Sequence, residues 1–144
     1  MQDKKNILFI CSWNSIRSQM AEGLARELGG DDFEVRSAGI NAGGVNHDAI
    51  LTMKEVDIDI STQTSDRLTP AHFIWADYIV TVCDNAKEQC ATFSTEKTQI
   101  HWSIPDPTGN YYTEQEALAG FAKVRELLRE KIADLFERIR DGQL

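Results

Sequence analysis

At 144 residues the chain has the length of one domain, read as residues 1–144, and can bury roughly 68–70% of its unfolded surface. A hydrophobic content of 42% and a charged content of 26% are ordinary for a soluble globular protein. The formal net charge of −8 argues against general binding to nucleic acid or to an anionic membrane. It still permits an oxyanion site, because a loop of amides with one arginine makes a local positive well. The opening Met1-Gln2-Asp3-Lys4-Lys5-Asn6 is followed by only four apolar residues before Cys11. That is too few for a signal-peptide core or a membrane span, so a reducing cytoplasm is expected. There, three cysteines point to chemistry rather than to structural staples.

Residues 7–10 form a continuous apolar run, as in a strand covered on both faces. Met20, Leu24 and Leu28, with Ala21 and Ala25 beside them, recur at a helical period. Between strand and helix lies Cys11-x5-Arg17-Ser18. A loop entering a helix N-terminus, here residues 12–18, has backbone N–H groups without intrahelical partners, and these can converge on an anion. The positive end of the helix dipole favours the thiolate of Cys11. Arg17 offers a planar fork to two oxygens of a tetrahedral oxyanion. Ser18 can donate a hydrogen bond to the sulfur, and Asn14 can brace the loop. A nucleophile beneath a cradled oxyanion is the arrangement needed for attack at phosphorus or arsenic.

Further along, Gly29-Gly30-Asp31-Asp32 is a break, and residues 33–38 alternate as a second strand. Asn46 caps a helix to about Val56 with Ala49, Ile50 and Met53 inward, and Ile58-Asp59-Ile60-Ser61 is a short extended piece. Thr69-Pro70 opens another helix. Residues 78–82 give the strongest strand, followed at once by Cys83, a turn or short helix over 84–88, and Cys90. Residues 99–102 make a fourth strand. Thr113-Glu114-Gln115-Glu116 reads as a capping box for a terminal helix to about Arg140, with Phe121, Val124, Leu128, Ile132, Leu135 and Ile139 as its core stripe. Strands alternating with helices imply an α/β fold, its four-stranded parallel sheet covered on both faces.

Cys83 leaves its strand at the sheet edge that carries the ligand crevice in open α/β folds, the edge at which Cys11 also leaves. If the following segment unwinds, Cys83 and Cys90 could close a disulfide; their spacing matches neither a zinc knuckle nor a C-x-x-C motif. The plainer reading makes Cys83 a small core residue and Cys90 an incidental thiol. Asp106 sits between two prolines that stiffen its loop, and could protonate a departing oxygen or simply make a turn. Trp13 is placed either at the cradle mouth or in packing. Tyr111 and Tyr112 wall the site or cap the last helix. His47, His72 and His101 share no metal-ligand spacing.

Taken together, Cys11-x5-Arg17-Ser18, Cys83, Cys90 and Asp106-Pro107 resemble the thioredoxin-coupled arsenate reductases, which share the three-layer fold of the low-molecular-weight protein tyrosine phosphatases. The resemblance extends through Asn14-Ser15-Ile16-Arg17-Ser18-Gln19-Met20-Ala21-Glu22-Gly23, Ser37-Ala38-Gly39, residues 53–61 and Gln63-Thr64-Ser65-Asp66. It implies that Ser12, Trp13, Asn14, Ser15, Ile16, Arg17 and Ser18 bind the oxyanion while Cys11 attacks arsenate and Asp106 protonates the leaving hydroxyl. Cys83 then attacks Cys11, releasing arsenite, and Cys90 attacks Cys83, moving the disulfide out to thioredoxin. The resemblance further implies a cytoplasmic monomer with no tightly bound cofactor, and a potassium ion at Asn14, Glu22, Ser37 and Asp66. Trp13 stands where such loops carry a small residue, Ile16 where a cysteine is common, and Asp57 where a glycine ends the helix. A phosphatase working through a Cys11 phosphocysteine is the rival reading, with weak phosphatase activity expected in either case; a thiol redox sensor is a third.

Overall fold

The computed structural model describes residues 3–90, 97–109 and 111–144. Four strands, β1 (Lys5–Cys11), β2 (Phe33–Gly39), β3 (Tyr78–Thr81) and β4 (Thr98–His101), form one sheet in the order β2-β1-β3-β4. All three pairings are parallel, with Cys11 beside Gly39 and Ile10 beside Thr81 in register. Among the described residues five α-helices connect and cover the sheet: α1 (Arg17–Gly29), α2 (His47–Lys54), α3 (Pro70–Trp75), α4 (Asp84–Cys90) and α5 (Glu114–Arg140). The α/β fold with a four-stranded parallel sheet expected from the sequence is the fold observed.

β1 lies inside the sheet, and Ile7, Leu8, Phe9 and Ile10 are completely buried. Burying side chains of this size contributes about 1.5–3 kcal/mol each, so β1 is the natural centre of the core. The chain goes from β1 to β2 on one side, then crosses to β3 and β4 on the other. That reversal puts a crevice outside the carboxyl ends of β1 and β3, where Cys11 and Cys83 emerge.

The sequence and structure differ in a few places. Ile58-Asp59-Ile60 joins no strand; Ile60 instead plugs the core against α1, where a Cβ on Gly23 would come within 2.6 Å of its Cγ2. The expected capping box on α5 is half made. Thr113 Oγ1 accepts from the Glu116 amide at 3.1 Å, but the Glu116 carboxylate takes the amide of Tyr112. On the α5 stripe, Phe136 is buried and stacks on Phe33 at 4.0 Å, whereas Ile139 is only partly buried. Asp57 adopts φ 61° after α2, a left-handed conformation more usual for glycine.

Candidate active site

The loop between β1 and α1 is held from behind by one residue. Asn14 is fully buried with φ 47°, a conformation that asparagine tolerates better than most side chains. Its Nδ2 donates to Ser18 Oγ and to Ser37 Oγ, both at 2.8 Å. Its Oδ1 accepts from the Asp66 amide at 2.7 Å and from Gln19 Nε2 at 3.1 Å. Its carbonyl oxygen accepts from Ser65 Oγ at 2.8 Å and from Gln19 Nε2 at 3.0 Å. Neighbouring carbonyls are drawn outward by the adjoining loop: Ser12 O by the Asn41 amide, Trp13 O by Gly43 and Ser15 O by Asn46. Gly39 is needed for this approach, because a Cβ there would collide with Asn41 O and the Asn14 amide. Turning carbonyls outward leaves the loop's N–H groups for an anion.

Cys11 sits at the floor, buried and free of any disulfide. Its Sγ lies 2.8 Å from Ser18 Oγ and accepts from the Asn14 amide at 3.2 Å. Since Asn14 already donates to Ser18 Oγ, the serine proton is free to point at sulfur, which is then met by two donors.

A cleft of about 340 Å³ opens above, lined by Cys11, Trp13, Ser15, Ile16, Arg17, Gly43, Asp106 and Thr108. Trp13 stands at its mouth, 58% exposed. Arg17 is anchored by Nη1 donating to Ile104 O at 3.0 Å. The Asp106 carboxylate accepts from the Thr108 amide and hydroxyl at 2.9 and 2.7 Å. Burial alone would raise its pKa, but the two Thr108 bonds and the Arg17 charge outweigh it and hold the group below the usual carboxylate range. Asp106 is therefore ionised in the free protein at neutral pH. A dianion entering beside it would neutralise Arg17 and favour the protonated acid. Tyr111 donates from its hydroxyl to Pro107 O at 2.6 Å and so walls the loop carrying Asp106, whereas Tyr112 is 96% exposed.

Cys83 lies two residues beyond β3 and faces a second basin with Ser12, Arg17, Asp84, Asn85, Ser103 and Asp106. Ser12 Oγ, one residue beyond Cys11, lies 3.2 Å from Cys83 Sγ and accepts from Asn85 Nδ2 at 3.0 Å. The Ala86 amide also points at Cys83 Sγ, at 3.4 Å. The two basins share Arg17 and Asp106, and Ser12 bridges from the Cys11 loop to Cys83. Cys90 is the last residue of α4, also buried and free. Burial pushes its thiol up to about 11, and the neighbouring Cys83 adds to this.

Asn14, Glu22, Ser37 and Asp66, the oxygen donors expected to hold potassium, gather behind the loop. Ser37 Oγ donates to Glu22 Oε1 at 2.6 Å, Arg26 lies 2.5 Å from Glu22 Oε2, and Asp66 Oδ2 accepts from Thr64 Oγ1 at 2.8 Å. Burial pushes the Glu22 carboxyl up, while Ser37 and Arg26 work against that rise. Arg26 pairs with Glu22, the one buried carboxylate, and Asn14 Oδ1 and Ser37 Oγ already accept hydrogen bonds, whereas Asp66 is exposed. A cation held there would share these oxygens with their present hydrogen-bond partners.

Among residues the sequence did not single out, Gln19, Ser65 and Thr108 matter most. Gln19 is fully buried and donates to Asn14 and to Thr64 O. A polar residue on the inward face of an amphipathic helix was the available signal. His72 caps α3, its Nδ1 accepting from the Thr69 amide at 3.0 Å. Among the described residues no group of three or more His, Cys, Asp or Glu side chains is disposed to hold a metal.

This arrangement has counterparts. The family model for low molecular weight phosphotyrosine protein phosphatases matches residues 6–143. The chain belongs to that family. Within it, arsenate reductase 2 of Staphylococcus saprophyticus is 44% identical over 94% of this chain and 98% of its own length. The arsenate reductase of Bacillus subtilis is 42% identical over 94% and 97%. A solved arsenate reductase in its phosphate-binding state is 33% identical, with TM-score 0.76 over 94% of this chain and 98% of that one. The family's fold also superposes on a low molecular weight protein tyrosine phosphatase from T. tengcongensis, TM-score 0.80 over 94% and 99%, at 24% identity.

Proposed function

We propose that this member of the family is an arsenate reductase whose three cysteines work in sequence. The observation that carries the reading is their placement: Cys11 in the cradle, Cys83 at its rim through Ser12, and Cys90 at the far end of the helix that starts beside Cys83. The loop amides and Arg17 hold arsenate. The Cys11 thiolate attacks arsenic, and one oxygen leaves as water after Asp106 supplies a proton, giving a cysteine–arsenate bond. The Cys83 thiolate then attacks Cys11 Sγ. The S–As bond breaks with its electron pair remaining on arsenic, which departs as arsenite, and a Cys11–Cys83 disulfide is left. Cys90 attacks Cys83 Sγ and frees the Cys11 thiolate.

The last step requires movement. Seven residues of α4 span about 10.5 Å along the axis, whereas a disulfide holds its Cα atoms about 4.4–6.8 Å apart. α4 must unwind, and it is built to do so: only Ala86 and Cys90 of its residues are buried. So short a helix has little stability of its own. While it is closed, the raised Cys90 thiol stays protonated and unreactive. Opening to water removes that constraint.

The resulting Cys83–Cys90 disulfide is the substrate for a dithiol protein of the thioredoxin type, here proposed as the reductant. We further take the protein to be a cytoplasmic monomer that engages no nucleic acid or membrane. No helix among the described residues is long and apolar enough to cross a bilayer. The deciding experiment is mass mapping of disulfides after one turnover with arsenate and no reductant. A Cys83–Cys90 bond is expected, with Cys90→Ser stopping at Cys11–Cys83 and releasing a single equivalent of arsenite. Retained multiple turnover in Cys90→Ser would overturn the relay. The Asp106–Arg17 cleft also favours weak hydrolysis of aryl phosphates. That activity should need Cys11 and Arg17 and survive Cys83→Ser.

A further inference from the structure

The Cys83 end of α4 is tied down by a group of side chains that the reduction scheme does not use. His101, on β4, engages both ring nitrogens: Nδ1 lies 2.7 Å from Thr81 Oγ1 on β3, and Nε2 lies 2.9 Å from Asp84 Oδ1 at the start of α4. Ser103 Oγ donates to the same Asp84 oxygen at 2.8 Å and lies 3.1 Å from Nε2. One tautomer satisfies every contact. An ionised carboxylate can only accept, so Nε2 carries the proton towards Asp84, and Nδ1 accepts from the Thr81 hydroxyl. The Ser103 and His101 bonds hold Asp84 below the usual carboxylate range, so it is ionised at neutral pH. At this same end the Ala86 amide meets Cys83 Sγ and the Lys87 amide donates to Cys83 O at 3.2 Å.

The relay makes opposite demands on the two ends of α4. Cys83 must stay at the rim beside Ser12 to reach Cys11, while Cys90 must travel. Unwinding from the Cys83 end would carry that sulfur away before its own attack. We propose that Asp84, His101 and Ser103 form a clasp joining the first residue of α4 to β4, so that the helix opens from its Cys90 end and Cys83 keeps its place. The three are positioning residues that act through Cys83; none touches the oxyanion cradle floor. The inference rests on the reductase reading for its consequence in turnover, though not for its effect on the helix.

Two measurements test it. In a Cys90→Ser background the Cys11–Cys83 disulfide is the end point, and its formation after a pulse of arsenate is followed by quench and mass mapping. Asp84→Ala should slow that step by about ten- to a hundredfold, with the inhibition constant for inorganic phosphate unchanged. Ser103→Ala should slow it less. Asp84→Asn, which still accepts from His101 and Ser103, should restore the rate to within about threefold. Equal rates in Asp84→Ala and its parent would overturn the clasp. The second measurement needs no arsenate. In the reduced protein the Lys87 amide should exchange with deuterium about tenfold more slowly than the Cys90 amide, and Asp84→Ala should erase that gap. A Lys87 amide unaffected by Asp84→Ala would refute the clasp even if the relay holds. Should Cys90→Ser yield no arsenite and no disulfide at all, the reductase reading fails, and the exchange comparison alone decides the clasp.

Discussion

The loop around Cys11 and the helix from Asp84 to Cys90 each deliver a sulfur, and they are built on opposite plans. The loop is anchored from behind, where its fully buried central residue, Asn14, makes hydrogen bonds to Ser18, Gln19, Ser37, Ser65 and Asp66. The helix buries only Ala86 and Cys90, and His101 and Ser103 tie it at one end. A group that must receive charge benefits from a site that does not reorganise. A group that must change partners needs a segment whose opening costs little. The contrast separates an anion-binding half of the site from a thiol-shuttling half, although both border the same crevice.

The largest expected effect falls on the rigid half. Arg17→Lys replaces a planar fork with a single ammonium and should lower the arsenate-dependent rate by about 10²–10³, read in a coupled assay. Disulfide exchange from a preformed Cys11–Cys83 bond should be little changed. Asn14→Ala comes next. It removes the side-chain partner of Ser18, Ser37 and the Asp66 amide, each loss costing about 1–3 kcal/mol. Partial repair by water should leave a net destabilisation of about 3 kcal/mol in urea unfolding. A variant as stable as the parent would break the comparison, for it would mean the loop is not held by this residue.

Ala86→Gly tests the mobile half. It should cost about 1–2 kcal/mol from propensity and a lost methyl, and it should speed transfer of the disulfide from Cys11–Cys83 to Cys83–Cys90 in stopped-flow traces. Slower transfer would mean that α4 does not have to open. The smallest effect concerns Glu22. Its folded-state pKa is raised above 4.5, chiefly by burial, so the folded protein binds the proton more tightly than the unfolded chain does. This group's contribution to stability therefore declines as pH rises through the folded value. Relative to Glu22→Gln, the wild type should gain stability on acidification from neutral pH towards 4.5 and level off below it, measured as the melting-temperature difference across pH. A flat difference would remove burial as the dominant influence on Glu22.

Much of this architecture was legible because the signals are local. The apolar run at 7–10, the Thr69-Pro70 helix start and the spacing of Cys11 and Arg17 each lie within a few residues of what they specify. The behaviour of Asn14 was only partly visible. Its role as a brace follows from the motif, but its partners come from residues 18–19, 37 and 65–66, and no periodicity announces a meeting of four segments. Ile58 and Ile60 looked extended because they alternate with aspartates. Burial under Gly23 and an Asp59–Ser61 turn account for that pattern equally well. The spacing of His101 announces none of its contacts, since its partners, Thr81, Asp84 and Ser103, come together only when β4 pairs with β3.

The strap from residues 63–66 to Asn14 has a practical outcome. Gln63, Thr64, Ser65 and Asp66 contribute nothing to the cleft, yet the hydroxyl of Ser65 and the amide of Asp66 hold the residue on which the nucleophile's loop is hung. Libraries aimed at altering oxyanion preference can therefore be drawn from this outlying tetrapeptide, leaving the reacting sulfur untouched. Natural sequence drift there would register as a kinetic trait rather than as a change of chemistry.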